Sequence, residues 1–131
     1  MKAFGSRNVR TLAEIMDDIS LGLLRLDEAV TELADDDRLD DIANLVEWRV
    51  ALPRSEAFAS LTDAAELPTA LVCRTAGLSA NGYSAVLRMR RRMRCGVDPV
   101  PAPLLGAYAD MPRPSLEELR TQLPARLARR A

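Results

Sequence analysis

The side chains in this chain best suited to chemistry are five arginines within seven positions, Arg88, Arg90, Arg91, Arg92 and Arg94, with Asn81 two helical turns ahead of the first. Clustered guanidinium groups grip phosphate or carboxylate oxygens, and on nucleic acid they gain affinity from counterion release. Asn81 carries the one amide there that can bond an adenine edge in bidentate fashion. The stretch Val72-Cys73-Arg74-Thr75-Ala76-Gly77-Leu78-Ser79, followed by Tyr83 and Val86, has the grammar of a helix-turn-helix. A small residue packs between the helices, glycine makes the turn, leucine staples it and serine caps the second helix. The rest of that helix's start, Ala80, Gly82, Ser84 and Ala85, brings little that reads a base. Arginines at its far end also satisfy the helix macrodipole.

Other chemistries find less support. The chain has no histidine, the usual general base, and a Ser–Lys arrangement would depend on Lys2 near the terminus. Asp17 and Asp18 are adjacent and diverge on a helix, and neither GxxxxGK[ST] nor GxGxxG occurs. The run Asp35-Asp36-Asp37 with Asp40 and Asp41 suggests a calcium loop. It lacks the glycine at the sixth position and the glutamate at the twelfth, and Leu39 falls where a ligand belongs. An N-cap at Asp37 for a helix from Arg38 to Leu52 explains these acids better. Cys73 and Cys95 form no CxxC pair and are expected as buried thiols, not zinc ligands. Trp48, three residues from Leu45 and four from Leu52, is expected in the core. No catalytic, cofactor-binding or metal-binding residue is therefore expected, and no cofactor.

Helices must position these groups. Leu12, Ile15, Met16, Ile19 and Leu23 mark one apolar stripe ending near Gly22, and Asp27 is placed to cap a second helix. Pro53 and Ser55 mark a junction, Pro68 suits an N1 position, Gly77 and Gly96 suit C′ positions, and Ser79 suits an N-cap. No segment alternates as a half-buried strand would. Residues 97–103 hold three prolines and form a stiff connector. Leu104 to Met111 can dock back on the body. Ser115 and Glu118 form a capping box for a last helix carrying Leu116, Leu119, Leu123 and Leu127, bent at Pro124.

The chain also repeats itself. Glu28-Ala29-Val30-Thr31-Glu32-Leu33 returns 28 residues on as Glu56-Ala57-Phe58-Ala59-Ser60-Leu61, and 28 further on as Ser84-Ala85-Val86-Leu87-Arg88-Met89. Leu39, Leu45, Val46 and Leu52 match Leu67, Leu71, Val72 and Leu78 once two residues are dropped. A period in the high twenties fits one helical pair per unit, each burying its neighbour's apolar face. Within this pattern, Leu71 to Ser79 and on through Leu87-Arg88-Met89-Arg90 resembles the C-terminal part of a bacterial domain-of-unknown-function family, number 2336. That resemblance implies an all-helical, HEAT-like repeat fold over residues 26–94 and assigns no activity or site residue. The chain departs from the family in its shortness and in Asn81-Gly82-Tyr83, where a tryptophan-containing helix start is expected.

Together these features predict an all-α protein, a short array of stacked helical hairpins over 1–96, a connector at 97–103 and a C-terminal helical segment at 104–131. At 131 residues, 48% hydrophobic and 28% charged, one globular domain is the default. No apolar run approaches a membrane span and no signal peptide follows Met1, so a cytoplasmic, non-membrane protein is expected. The net charge of −1 hides a split: residues 1–66 carry 7 basic and 15 acidic side chains, residues 67–131 carry 11 and 4. The expected function is a non-enzymatic protein-interaction or regulatory module. It would bind a protein partner through Asn81, Arg88, Arg90, Arg91, Arg92 and Arg94, and the alternative is a nucleic-acid-binding regulator using residues 70–94. Apolar end-faces of so short an array would favour a homodimer.

Overall fold

Thr11 opens the first helix by accepting the Glu14 N–H while the Glu14 carboxylate takes the Thr11 N–H, a reciprocal cap that uses two otherwise orphan donors. In the computed structural model, which describes residues 10–93 and 107–123, this helix is α1 (Leu12–Ser20). It is followed by α2 (Leu26–Asp35), α3 (Leu39–Val50), α4 (Arg54–Thr62), α5 (Glu66–Thr75), α6 (Ala80–Met93), one helical turn at 107–110 and α7 (Leu116–Gln122). No strand occurs among the described residues, and the architecture is all-α, built of packed helical hairpins. Arg94, Cys95, Gly96, the connector at 97–103, Pro124 and Leu127 lie outside the described residues, as does Lys2.

Local signals set most boundaries. Helices α1, α2 and α5 end in Schellman turns, in which the N–H two residues past the cap bonds back to the third-last carbonyl: Leu23 to Asp18, Arg38 to Leu33, Leu78 to Cys73. Gly77, with φ +85°, is the left-handed residue of the last of these. Asp37 takes that role after α2 at φ 57°, so it is not the N-cap of α3; Arg38 holds that position. Pro68 sits third in α5, one of the first-turn positions that need no intrahelical N–H partner. The Ser115–Glu118 capping box opens α7 as the sequence implies.

Ala51 closes α3 at φ 64°, a left-handed conformation that its Cβ disfavours, and it is exposed. Ala51→Gly is expected to stabilise the fold by about 0.5–1 kcal/mol, relief of backbone strain outweighing the extra freedom of the unfolded chain. A urea midpoint unchanged or lowered would contradict this.

The core runs through all seven helices, from Ile15 through Leu33, Leu45 and Leu61 to Val86 and Leu119. The three matching hexads fall within α2, α4 and α6. Helix α6 buries Tyr83, Ala85, Val86, Leu87 and Met89, so it meets neighbours on several sides. Its most extensive contact is with α2. The C-terminal segment docks on α5 and α6 through Tyr108, whose ring stacks on Tyr83 at 4.1 Å and whose hydroxyl donates to the Leu78 carbonyl at 2.8 Å. Arg74 and Arg113 fasten the same segment to α5, one donating to the Met111 carbonyl and the other to that of Thr75.

Candidate functional site

Two groups fix α6 against α2, one at each end. At the N-terminal end Asp27 accepts the Ser79 N–H at 2.9 Å and the Ser79 hydroxyl at 2.6 Å, placing a carboxylate at the positive end of the α6 dipole. Asp27 was expected to cap its own helix; Arg25 holds the N-cap position of α2 instead, and Asp27 serves a helix 52 residues away. At the other end Arg92 donates to Asp37 at 2.9 Å and to the Ala34 carbonyl at 2.7 Å, a second donor to a last-turn carbonyl of α2 that also accepts the Asp37 N–H. Asp27 lies beside Gly82 and Asp37 beside Arg92, so the two helices run parallel, each α2 residue level with the one 55 positions later.

Along this pair the outward sides carry opposite charge. The α2 side presents Glu28, Glu32, Asp35 and Asp36, which with Arg25, Asp27, Thr31 and Asn81 line a groove of about 570 Å³. Glu28 accepts the Arg25 N–H, which holds its carboxyl below the usual range and keeps it ionised. Glu32 accepts from Arg10, which also binds Asp18. On α6, Asn81, Arg88 and Arg92 fall 7 and 11 residues apart, almost in line along the helix. Arg88, Arg91 and Arg92 line a second, shallower concavity of about 390 Å³.

The six site residues expected from sequence thus divide. Arg88 and Arg91 are exposed, Arg88 donating to Ser84 on its own helix. Arg92 is half-exposed and occupied at the α2 end. Asn81 is exposed and borders the acidic groove, where an approaching phosphate backbone would meet like charge. Arg94 lies outside the described residues. Arg90 corrects the expectation outright: it is 1% exposed and donates to the carbonyls of Leu61 and Asp63 and to the Thr69 hydroxyl, so no partner can reach it.

The remaining acids and the thiol are also accounted for. Asp40 pairs with Arg54, Asp41 with Arg38 and Asp37 with Arg92, so arginines pair with three of the five acids in that run. Among the described residues no group of three or more metal-ligating side chains converges. Cys73 is fully buried, and desolvation pushes its thiol up to about 12, far from a reactive thiolate. Burial likewise raises the phenols of Tyr83 and Tyr108, which stay neutral. Trp48 is 41% exposed, against the core position expected for it. Among the described residues no helix is long and apolar enough to cross a membrane.

Asp27 was missed as an interhelix clamp because nothing local in the sequence marks a contact of that range. Arg90, by contrast, continues the buried spacing Tyr83, Val86, Arg90, and that phase was a usable signal. No protein-family model, curated protein or solved structure matches this chain.

Proposed function

We propose that this chain is a non-enzymatic protein-interaction module whose docking surface is the outward face of α2 and α6. The observation that carries this reading is a pair of parallel, adjacent ridges of opposite charge. Arg91 and Asp35 are exposed with no side-chain partner among the described residues, and Arg88 bonds only a serine of its own helix. Surface charges placed this way contribute little to stability and much to orienting a partner. The nucleic-acid reading is disfavoured because the first turn of α6 is closed by Asp27 and Asn81 opens onto carboxylates. A HEAT-like repeat and the likeness to family 2336 belong to this proposal for architecture alone, supported by the three hexads on α2, α4 and α6. A cytoplasmic setting is part of it too, in keeping with the unpaired thiol of Cys73.

The test pairs two measurements. Arg88→Glu/Arg91→Glu is expected to abolish capture of protein partners while leaving the melting temperature unchanged, because neither side chain supports the core. Anisotropy titrations with duplex DNA and RNA are expected to give at most weak, salt-sensitive binding that Asn81→Ala does not alter. Full retention of every partner by the double reversal would overturn the docking surface. Site-selective DNA binding lost on Asn81→Ala would replace it with the helix-turn-helix reading.

A further inference from the structure

We propose that the α2–α6 face binds a second copy of this chain, the two copies related by a two-fold axis parallel to the two helices. This deepens the docking-surface reading and rests on it. The argument is one of charge and symmetry. Because α2 and α6 are parallel, a two-fold axis lying along them in the interface exchanges left and right but keeps height, so α2 of each copy faces α6 of the other. The acidic ridge then meets the arginine ridge twice. An axis across the helices would instead set α2 on α2 and α6 on α6, opposing like charges along both.

Register supports the same arrangement. With each α2 residue level with the one 55 positions later, Asp35 of one copy comes level with position 90 of the other, between the exposed Arg88 and Arg91. On these two ridges Asp35 and Arg91 are exposed charges with no side-chain partner among the described residues. Glu32 comes level with position 87, next to Arg88. The two-fold closes the contact, so it ends at a dimer and does not propagate. Two helices of this length present on the order of 400 Å² per copy, about half the area of a standard interface. The dimer is accordingly weak, with a dissociation constant on the order of 10–100 μM at low salt, and it weakens as salt screens the ridges.

Sedimentation equilibrium of the whole chain across a concentration series at low and high salt provides the test. The wild type is expected to form a salt-sensitive dimer. Arg88→Glu/Arg91→Glu makes both ridges acidic, and Glu32→Gln/Asp35→Arg replaces the two acids level with Arg88 and Arg91 by a neutral acceptor for Arg10 and a cation. Each variant alone is expected to weaken the dimer by roughly tenfold or more, and an equimolar mixture is expected to restore it, since the reversed charge at position 35 then meets the reversed charges at 88 and 91 in one half and the original charges meet in the other. Circular dichroism melts of each variant separate a lost contact from a lost fold. A wild type that stays monomeric at low salt near millimolar concentration would overturn the proposal. So would a dimer indifferent to both variants, or a mixture that fails to recover. A monomeric wild type whose Arg88→Glu/Arg91→Glu variant still loses a different protein partner removes the second copy and leaves the docking surface standing.

Discussion

Arg90→Met is expected to destabilise the fold by about 3 kcal/mol, whereas Arg91→Glu, one residue away, changes stability by less than about 0.5 kcal/mol. The contrast follows from what each guanidinium touches. Helix α4 ends at Thr62 without a Schellman turn, so its last carbonyls need other partners. Thr69 of α5 donates to the Ser60 carbonyl at 2.8 Å, and Arg90 of α6 donates to the Leu61 carbonyl, to the Asp63 carbonyl at 2.6 Å and to the Thr69 hydroxyl at 2.7 Å. One buried cation thus closes the C-terminus of α4, where the helix macrodipole favours positive charge, and ties α4, α5 and α6 together. Methionine fills much of the volume but leaves the buried Leu61 carbonyl unbonded, at roughly 1–3 kcal/mol, and takes away the Arg90 hydrogen bonds to the Asp63 carbonyl and the Thr69 hydroxyl as well. Thr69→Val, which removes the hydroxyl and leaves the arginine, is expected to lose about 1–2 kcal/mol. Urea denaturation reads all three. An Arg90→Met variant within about 1 kcal/mol of wild type would show that Arg90 is not a structural cap and return it to the surface patch.

How much of this was legible in the sequence depends on the range of the interaction. The helices were, because caps and left-handed turn residues act within a few positions: Thr11 with Glu14, Ser115 with Glu118, Gly77 at the end of α5. Helix phase was legible but outweighed by residue type. Arg90 continues the stripe of Tyr83 and Val86, yet its neighbours Arg91 and Arg92 made a basic tract the simpler reading. Trp48 errs the other way. Its spacing from Leu45 suggested burial, but Leu39, Ile42, Ala43, Leu45 and Val46 together centre the buried arc of α3 about 150° away on the helical wheel. The site itself was not legible, because it arises from α6 lying parallel to α2. That contact is made by Asp27 with Ser79 and Arg92 with Asp37, 52 and 55 residues apart, and no pattern within either helix encodes it. The split of charge between the halves of the chain was visible. That the two signs lie side by side on neighbouring helices was not.

Gly82→Ala is expected to destabilise the protein by about 2 kcal/mol, against the general rule that alanine improves a helix interior by about 1 kcal/mol over glycine. A Cβ at position 82 would stand 2.1 Å from the Asp27 carboxylate oxygen that accepts the Ser79 N–H, closer than any real contact. Either α6 shifts away from α2 across their most extensive contact, or Asp27 swings out and its two charge-assisted hydrogen bonds to Ser79 are lost. Each such bond contributes roughly 1.5–3 kcal/mol, enough to outweigh the gain in propensity. The same geometry predicts a reversal of sign. In an Asp27→Ala background the obstructing carboxylate is gone and the other near neighbour, Leu78 Cβ at 3.5 Å, is in ordinary contact, so Gly82→Ala there stabilises by about 0.5–1 kcal/mol. A double-mutant cycle by urea denaturation measures the coupling directly, and it should approach 3 kcal/mol. Additive effects would mean that Gly82 is required for some reason other than Asp27. The predicted sign change would tie the glycine to the clamp that holds the acidic and basic ridges level.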